Sequence, residues 1–187
     1  MTDAGLDRLK TEVRRRMRAA RAAATDPGAA LGLVASFPIE LKGLSPVAGY
    51  WPMGSELDPR PLLTALAEDG AAIALPRVET RAGMVRFLQW RAGEILEPDA
   101  FGAPAPPASA REIVPRLILT PLVAFDRAGR RLGQGGGHYD RILATLRPGA
   151  IAAGLAYAAQ EMPEVPAGAH DQGLDWVITE REAIRCA

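Results

Sequence analysis

The first twenty or so residues repeat apolar and basic positions with the period of a helix. Apolar residues recur at spacings of three and four, which is typical of a helix face packed on a core. They are Leu6, Leu9, Val13, Met17 and Ala20. The other faces carry basic residues, namely Arg8, Lys10, Arg14, Arg15, Arg16, Arg18 and Arg21. Such a run is usually a solvated helix face, and an arm that binds nucleic acid is the alternative.

The rest of the chain alternates strand-length apolar runs with helical stretches. Predicted strands span residues 47–51, 71–75, 84–90, 113–120, 151–156 and 176–179, with a turn at Ala82 and Gly83. Further helices are predicted at 29–37, after Asp58 and Pro59, and at 140–146. The helix after Asp58 and Pro59 is predicted because an N-cap residue followed by proline begins a helix. This alternation predicts an α/β fold, with a mainly parallel sheet and helices on both faces.

Length and charge narrow the possible functions. A chain of 187 residues fits one domain spanning 1–187. Basic and acidic residues balance at 22 each, so no net field favours nucleic acid or a membrane as a partner. No run reaches the ~18 apolar residues of a transmembrane helix, and no signal peptide is recognisable. We therefore expect a cytoplasmic monomer that acts on small molecules.

A glycine-rich segment follows one predicted strand. The apolar run ends in a turn at 126–129, after which Arg130 and Arg131 precede Gly133, Gly135, Gly136 and Gly137. Glycine lets the backbone approach a ligand closely, and the first amides of a helix attract anions. The segment thus predicts an anion cradle for a polyphosphate, with both arginines as added cations. The P-loop motif G-x-x-x-x-G-K-[ST] is absent. The motif G-x-G-x-x-G is incomplete, since His138 stands where its last glycine would be. A flexible linker is the alternative.

The sequence Arg-Leu-Gly-Gln-Gly-x-Gly-x-Tyr-Asp-Arg at 131–141, after Pro-Leu-Val-Ala-Phe-Asp, resembles the signature of the 5-formyltetrahydrofolate cyclo-ligase family (5,10-methenyltetrahydrofolate synthetases). The similarity extends over nearly the whole chain. It includes a Lys-x-x-x-Arg helix at Lys10 and Arg14, a Glu-Leu-Asp segment at Glu56, and a His-Asp-x-x-Leu-Asp-x-Val tail containing Asp171. The resemblance implies a single-domain, three-layer α/β fold.

The resemblance also implies an ATP- and Mg²⁺-dependent ligase of one-carbon metabolism. It would convert 5-formyltetrahydrofolate into 5,10-methenyltetrahydrofolate, releasing ADP and phosphate through a phosphorylated formyl intermediate. Arg131 and Lys10 would be catalytic, and Asp140 and Asp171 would bind the metal. The ATP site would comprise Lys10, Arg14, Arg131, Leu132, Gly133, Gln134, Gly135, Gly136, Gly137, His138 and Tyr139. The folate site would comprise Trp51, Glu56, Gln134, Gly135, Gly136, Gly137 and His138.

The chain departs from the family pattern at three places. Pro59 replaces a threonine, His138 replaces the first of two tyrosines, and the segment 101–106 lacks a glutamate. Phe101 in that segment could stack on a flat pterin ring, although core packing is the commoner role of a phenylalanine. Asp140 could instead be a helix-start carboxylate, and Asp171 a turn or cap residue.

Two other functions remain open at this stage. A relative that binds 5-formyltetrahydrofolate or another pterin without turnover would account for His138 and for the missing glutamate. An RNA-binding protein would use the arginine-rich first helix and would bind with steep salt dependence. The RNA hypothesis leaves the glycine-rich segment unexplained.

Overall fold

The computed structural model describes residues 2–80 and 84–186, so the turn expected at Ala82 and Gly83 lies outside the described residues. The α-helices are α1 (Asp3–Ala23), α2 (Ala29–Ser36), α3 (Arg60–Glu68) and α4 (His138–Leu146). Short 3-10 helices occupy Ile39–Leu41 and Ala158–Gln160. The strands are β1 (Val47–Ala48), β2 (Ile73–Val78), β3 (Val85–Gln89), β4 (Glu97–Pro98), β5 (Pro104–Ala105), β6 (Leu117–Pro121), β7 (Ala124–Phe125), β8 (Arg131–Leu132), β9 (Ile151–Leu155), β10 (Trp176–Ile178) and β11 (Ala183–Arg185). None of the helices in the described part of the chain has the length and apolar character needed to cross a membrane.

Seven strands form one sheet in the order β11-β10-β9-β6-β1-β2-β3. The five inner strands are parallel, whereas β3 and β11 pair antiparallel with β2 and β10 at the two edges. The prediction of a mainly parallel sheet is therefore confirmed. Two antiparallel ladders, β4 with β5 and β7 with β8, lie outside this sheet.

Helices cover both faces of the sheet. Neighbouring residues of a strand point to opposite faces, so one strand can pack against helices on both sides. Leu117 and Leu119 of β6 pack in a cluster with Leu33 of α2 and with α3, while Ile118 packs in a second cluster with Leu143 of α4. Both clusters consist of buried apolar side chains. The expected three layers are thus α2 and α3, the sheet, and α4.

Helix α1 packs at the edge of these layers. Its buried Val13 and Met17 contact Ala124 of β7, Leu132 of β8 and Val165 in a separate small cluster. β7 and β8 come after the carboxyl end of β6 in the chain. The carboxyl ends of the strands are where α/β proteins usually place their ligand sites. α1 therefore presents its remaining inner face to that end of the sheet.

Strand lengths differ from the sequence prediction where the chain turns toward this end of the sheet. β1 is two residues long instead of five, so its ladder with β2 reaches only Ile73 and Ala74 and its ladder with β6 only Leu117 and Ile118. β2 continues through Pro76 to Val78, because the strand edge beyond Ala74 carries no β1 partner and tolerates a residue without an N–H. The ladder of β4 with β5 in the proline-rich region and the edge strand β11 were not predicted.

Candidate functional site

A cavity of about 430 Å³ lies between α1, the carboxyl ends of β1, β2 and β6, and the glycine-rich loop. It is lined by every residue to which the family resemblance assigned a catalytic, ATP, folate or metal role: Lys10, Arg14, Trp51, Glu56, Arg131, Leu132, Gly133, Gln134, Gly135, Gly136, Gly137, His138, Tyr139, Asp140 and Asp171. Residues that were widely separated in the sequence therefore share one site. Their individual roles remain predictions.

The glycine-rich loop uses backbone conformations that only glycine adopts readily. Gly135 has φ of 110° and Gly137, the residue before α4, has φ of 64°. The loop is held in place rather than free as a linker: Arg14 Nε donates to the Gly133 carbonyl at 2.9 Å, and Arg141 Nη2 donates to the Gly136 carbonyl at 3.1 Å. It ends at the amino terminus of α4, whose first amides suit an anion.

Lys10 reaches the cavity from α1. Its Nζ lies 2.5 Å from Oδ2 of Asp171, and its side chain is only 12% exposed. Burial favours a higher pKa for Asp171, but hydrogen bonds from the Gly168 amide and from Lys10 outweigh it, so the pKa of Asp171 is lowered. A partly buried lysine and an ionised aspartate therefore line the cavity together.

Arg131 is the second buried cation of the site, with a side-chain exposure of 3%. Its Nη2 lies 2.7 Å from Oδ1 of Asp140, and its Nη1 donates to the Gln172 carbonyl. Burial lowers the pKa of Arg131, and the charge of Asp140 opposes this effect. Even so, an arginine in a protein keeps its charge.

Arg130 points away from this cavity. Its Nε lies 2.7 Å from Oδ2 of Asp126, and its Nη1 lies 2.8 Å from Oε1 of Glu164. The expectation that both arginines would add cationic contacts to the same anion is therefore wrong for Arg130. Adjacent residues in extended backbone point to opposite sides, and Arg131 takes the side facing the cavity.

Glu56 lines the same cavity as the catalytic cations predicted above. Its Oε2 accepts from the Met53 amide at 3.0 Å, and its Oε1 accepts from Nε2 of Gln134 at 3.1 Å. Trp51 also lines the cavity and is in edge contact with Trp90 at a centroid distance of 6.1 Å. These two residues offer the cavity a carboxylate and a flat apolar ring.

His138 and Tyr139 open α4 and face the cavity. Burial lowers the pKa of His138, and the nearby charge of Arg141 lowers it further. Burial and the charge of Glu56 raise the pKa of Tyr139. Both rings are therefore neutral near pH 7.

The ring of Phe101 meets His138 edge-on at 5.6 Å. Phe101 is 54% exposed, so core packing is the wrong assignment for it.

Sequence reasoning missed Arg18 and Arg21. Arg18 donates to Oε1 of Gln134 through Nε at 3.1 Å and Nη2 at 2.9 Å, and Nη1 of Arg21 lies 3.7 Å from Oε1 of Glu56. The signal was present: Lys10, Arg14, Arg18 and Arg21 follow one another at helical spacing.

The cavity is also lined by residues with no predicted role: Asp7, Tyr50, Met53, Pro76, Val78, Asp99, Ala103, Pro104 and Pro121.

Asp140 and Asp171 are the cavity carboxylates to which the family resemblance assigned a metal. Each uses one oxygen for a cation, and the other oxygen (Oδ2 of Asp140, Oδ1 of Asp171) makes no hydrogen bond to a residue in 2–80 or 84–186. Within those same ranges, no three His, Cys, Asp or Glu side chains are grouped to hold a metal. Two hard oxygen ligands without a full protein cage suit Mg²⁺, which keeps waters and binds phosphates.

Comparison with known proteins gives consistent results. Residues 7–180 match the model of the 5-formyltetrahydrofolate cyclo-ligase family. The 5-formyltetrahydrofolate cyclo-ligase of Mycolicibacterium smegmatis is 36% identical over 146 residues, covering 74% of this chain and 75% of the relative. That of Escherichia coli K12 is 32% identical over 139 residues, covering 71% and 76%.

Two solved structures share the architecture. The NMR structure of Aquifex aeolicus 5,10-methenyltetrahydrofolate synthetase superposes with a TM-score of 0.80 and 27% identity, covering 95% of this chain and 92% of that one. The 5,10-methenyltetrahydrofolate synthetase of Mycoplasma pneumoniae gives a TM-score of 0.71 at 20% identity, covering 91% and 98%, and supports the fold alone.

Proposed function

The chain belongs to the 5-formyltetrahydrofolate cyclo-ligase family, and we propose that it converts 5-formyltetrahydrofolate and ATP into 5,10-methenyltetrahydrofolate, ADP and phosphate. One observation carries the proposal. Lys10, Arg14, Arg131 and the glycine-rich loop line a single cavity together with Glu56 and Trp51. Residues 1–187 would act as one domain with small molecules as its partners.

The main requirement of the reaction is neutralisation of the negative charge on the phosphates. The formyl oxygen on N5 attacks the γ-phosphorus of ATP, and the bond from that phosphorus to the ADP oxygen breaks. N10 then attacks the activated formyl carbon, loses its proton, and phosphate leaves as the ring closes. Phosphoryl transfer requires positioning and charge neutralisation and no protein nucleophile. Lys10, Arg131 and the loop amides would meet this requirement.

In the structure both cations are paired with carboxylates, Lys10 with Asp171 and Arg131 with Asp140. Arrival of a polyphosphate would draw the cations toward phosphate oxygens and release the carboxylates. Asp140 and Asp171 would then hold Mg²⁺, which supplies charge neutralisation to the phosphates when it is bound. Arg14 would anchor the same phosphates while it keeps the loop in place through Gly133.

The folate would occupy the part of the cavity that Glu56 and Trp51 line. A reduced pterin ring carries N–H donors, and the Glu56 carboxylate is an acceptor held in a fixed orientation. Trp51 would pack against the ring. His138, neutral near pH 7, would line the space between the pterin and the phosphates.

The test is a spectroscopic assay with a matched pair of variants. Purified protein is mixed with 5-formyltetrahydrofolate and Mg²⁺, and the methenyl chromophore is followed after addition of ATP. We expect an ATP-dependent rise that Arg131→Ala lowers by about 100-fold or more, since it removes a cation at the developing charge. Arg130→Ala should leave the rate within about twofold of wild type.

The outcomes separate the hypotheses. Folate binding detected by calorimetry without any chromophore would favour a non-catalytic folate-binding relative. Absence of both binding and turnover would overturn the proposed function. Normal turnover in Arg131→Ala would remove that residue from the site.

A further inference from the structure

Arg21 is a buried cation that the proposed chemistry does not use. Its side chain is 7% exposed, and the carboxylate it meets is that of Glu56, at 3.7 Å and 8% exposed. Its other contacts are neutral oxygens, Ser55 Oγ at 3.1 Å and the Leu122 carbonyl at 3.4 Å. The charge of this guanidinium is therefore balanced mainly by Glu56.

Such a pair is a poor way to stabilise a fold. Removing two charges from water costs several kcal/mol per ion, and apolar residues of similar volume often serve stability equally well or better. The partner of Arg21 is, however, a carboxylate that faces the cavity. What this arrangement provides is a fixed direction of the Glu56 carboxylate.

Glu56 is in fact held from three directions. Arg21 and Gln134 both meet Oε1, and the Met53 amide donates to Oε2. Gln134 is itself fixed, because Arg18 donates to its side-chain oxygen and also to its carbonyl. Each carboxylate oxygen of Glu56 accepts one hydrogen bond and keeps accepting capacity for a ligand, since the 3.7 Å contact with Arg21 is an ion pair.

We infer that Arg21 is a positioning residue for Glu56: it fixes the carboxylate that binds the pterin, and thereby sets affinity for the folate rather than for ATP. Arg18, through Gln134, holds the second contact to the same oxygen. The inference rests on the function proposed above and concerns residues to which no role had been assigned.

The experiment compares Arg21→Met with Arg15→Met, the same substitution on the exposed face of the same helix, where Arg15 is 75% exposed. We expect Arg21→Met to raise the Kd and KM for 5-formyltetrahydrofolate by about tenfold or more, the low end of the loss seen when an outer partner of a binding group is removed. KM for ATP should change by less than about twofold. Arg15→Met should match wild type for both substrates.

A double-mutant cycle tests whether the effect passes through Glu56. In the Glu56→Gln background, whose folate affinity is already reduced, adding Arg21→Met should change the folate Kd by less than about twofold. An equal rise in both KM values, or an undiminished effect of Arg21→Met in that background, would show a merely structural role and overturn the inference.

Arg21→Lys covers the case in which Arg21→Met does not fold. It keeps the charge but loses the planar fork, so we expect a smaller rise in the folate KM with the ATP KM unchanged. An unchanged folate KM in a folded Arg21 variant, with wild-type turnover intact, overturns the inference alone. A wild-type protein that neither binds nor converts the folate overturns the proposed function and this inference together.

Discussion

The two faces of α1 carry similar charges and use them differently. On the outer face Arg15 is 75% exposed and pairs with Glu12, three residues earlier, at 2.5 Å. On the inner face Lys10, Arg14, Arg18 and Arg21 meet partners on distant segments: Asp171, Gly133, Gln134 and Glu56. Arg15 follows Arg14 directly in the sequence, yet only Arg14 lines the cavity.

This difference shows that a count of basic residues says little about a helix. An exposed ion pair between neighbours is screened by water and contributes little. The same guanidinium turned inward meets a carbonyl or a carboxylate where water is scarce, and its charge becomes part of a site. The angular position on the helix decides which of the two occurs.

The largest expected effect comes from the inner lysine. Lys10→Met removes a partly buried cation from the predicted phosphate site and leaves Asp171 without its lysine partner, so kcat/KM for ATP should fall by about 100-fold or more. The matched outer variant, Arg8→Met, should stay within about twofold of wild type. Both are measured by varying ATP at saturating folate. Equal losses in the two variants would break the comparison between the faces.

We expect an effect of intermediate size on KM for ATP when Arg14 is substituted, and the neighbouring Arg15 provides the control. Arg14→Ala removes a cation and its hydrogen bond to the Gly133 carbonyl, so KM for ATP should rise about tenfold, the loss of one charge-assisted contact. Arg15→Ala, one position further round the helix, should leave it unchanged. A rise in Arg15→Ala as large as that in Arg14→Ala would mean that long-range charge rather than contact governs ATP binding.

The smallest effect is confined to the outer face. A hydrogen bond from Arg15 lowers the pKa of Glu12, and the charges of Arg15 and Arg16 act in the same direction. Arg15→Ala should therefore let the pKa of Glu12 rise toward its ordinary value, as followed by NMR titration, while turnover at neutral pH stays constant. A change in turnover would indicate that the outer pair communicates with the cavity.

Local patterns predicted much of the fold. The three-and-four spacing identified α1 and its buried Val13 and Met17, because helical periodicity depends on neighbours along the chain. The parallel sheet followed from alternating strands and helices. The two-residue ladders of β4 and β5 carry too few residues for any periodic signal.

The site was less accessible to sequence reasoning where partners meet only in three dimensions. Resemblance to a family supplied Lys10 and Arg14, but Arg21 went unrecognised because its partner Glu56 belongs to another segment. The two arginines before the glycines were treated alike, although the alternation of extended backbone separates Arg130 from Arg131. Knowing that they diverge requires only the pattern, whereas knowing which one faces the cavity requires the fold.

The separate packing of α1 has a consequence for how the molecule loses activity. Val13 and Met17 pack with residues of β7 and β8 and with Val165 in one small cluster, which is separate from the two clusters that cover the sheet. A region with few buried contacts can open at a lower free energy than the whole domain. Transient detachment of this one helix would carry away four cations together and disassemble the site while the sheet remains folded. Inactivation on mild heating would then precede global melting, and it would be reversible.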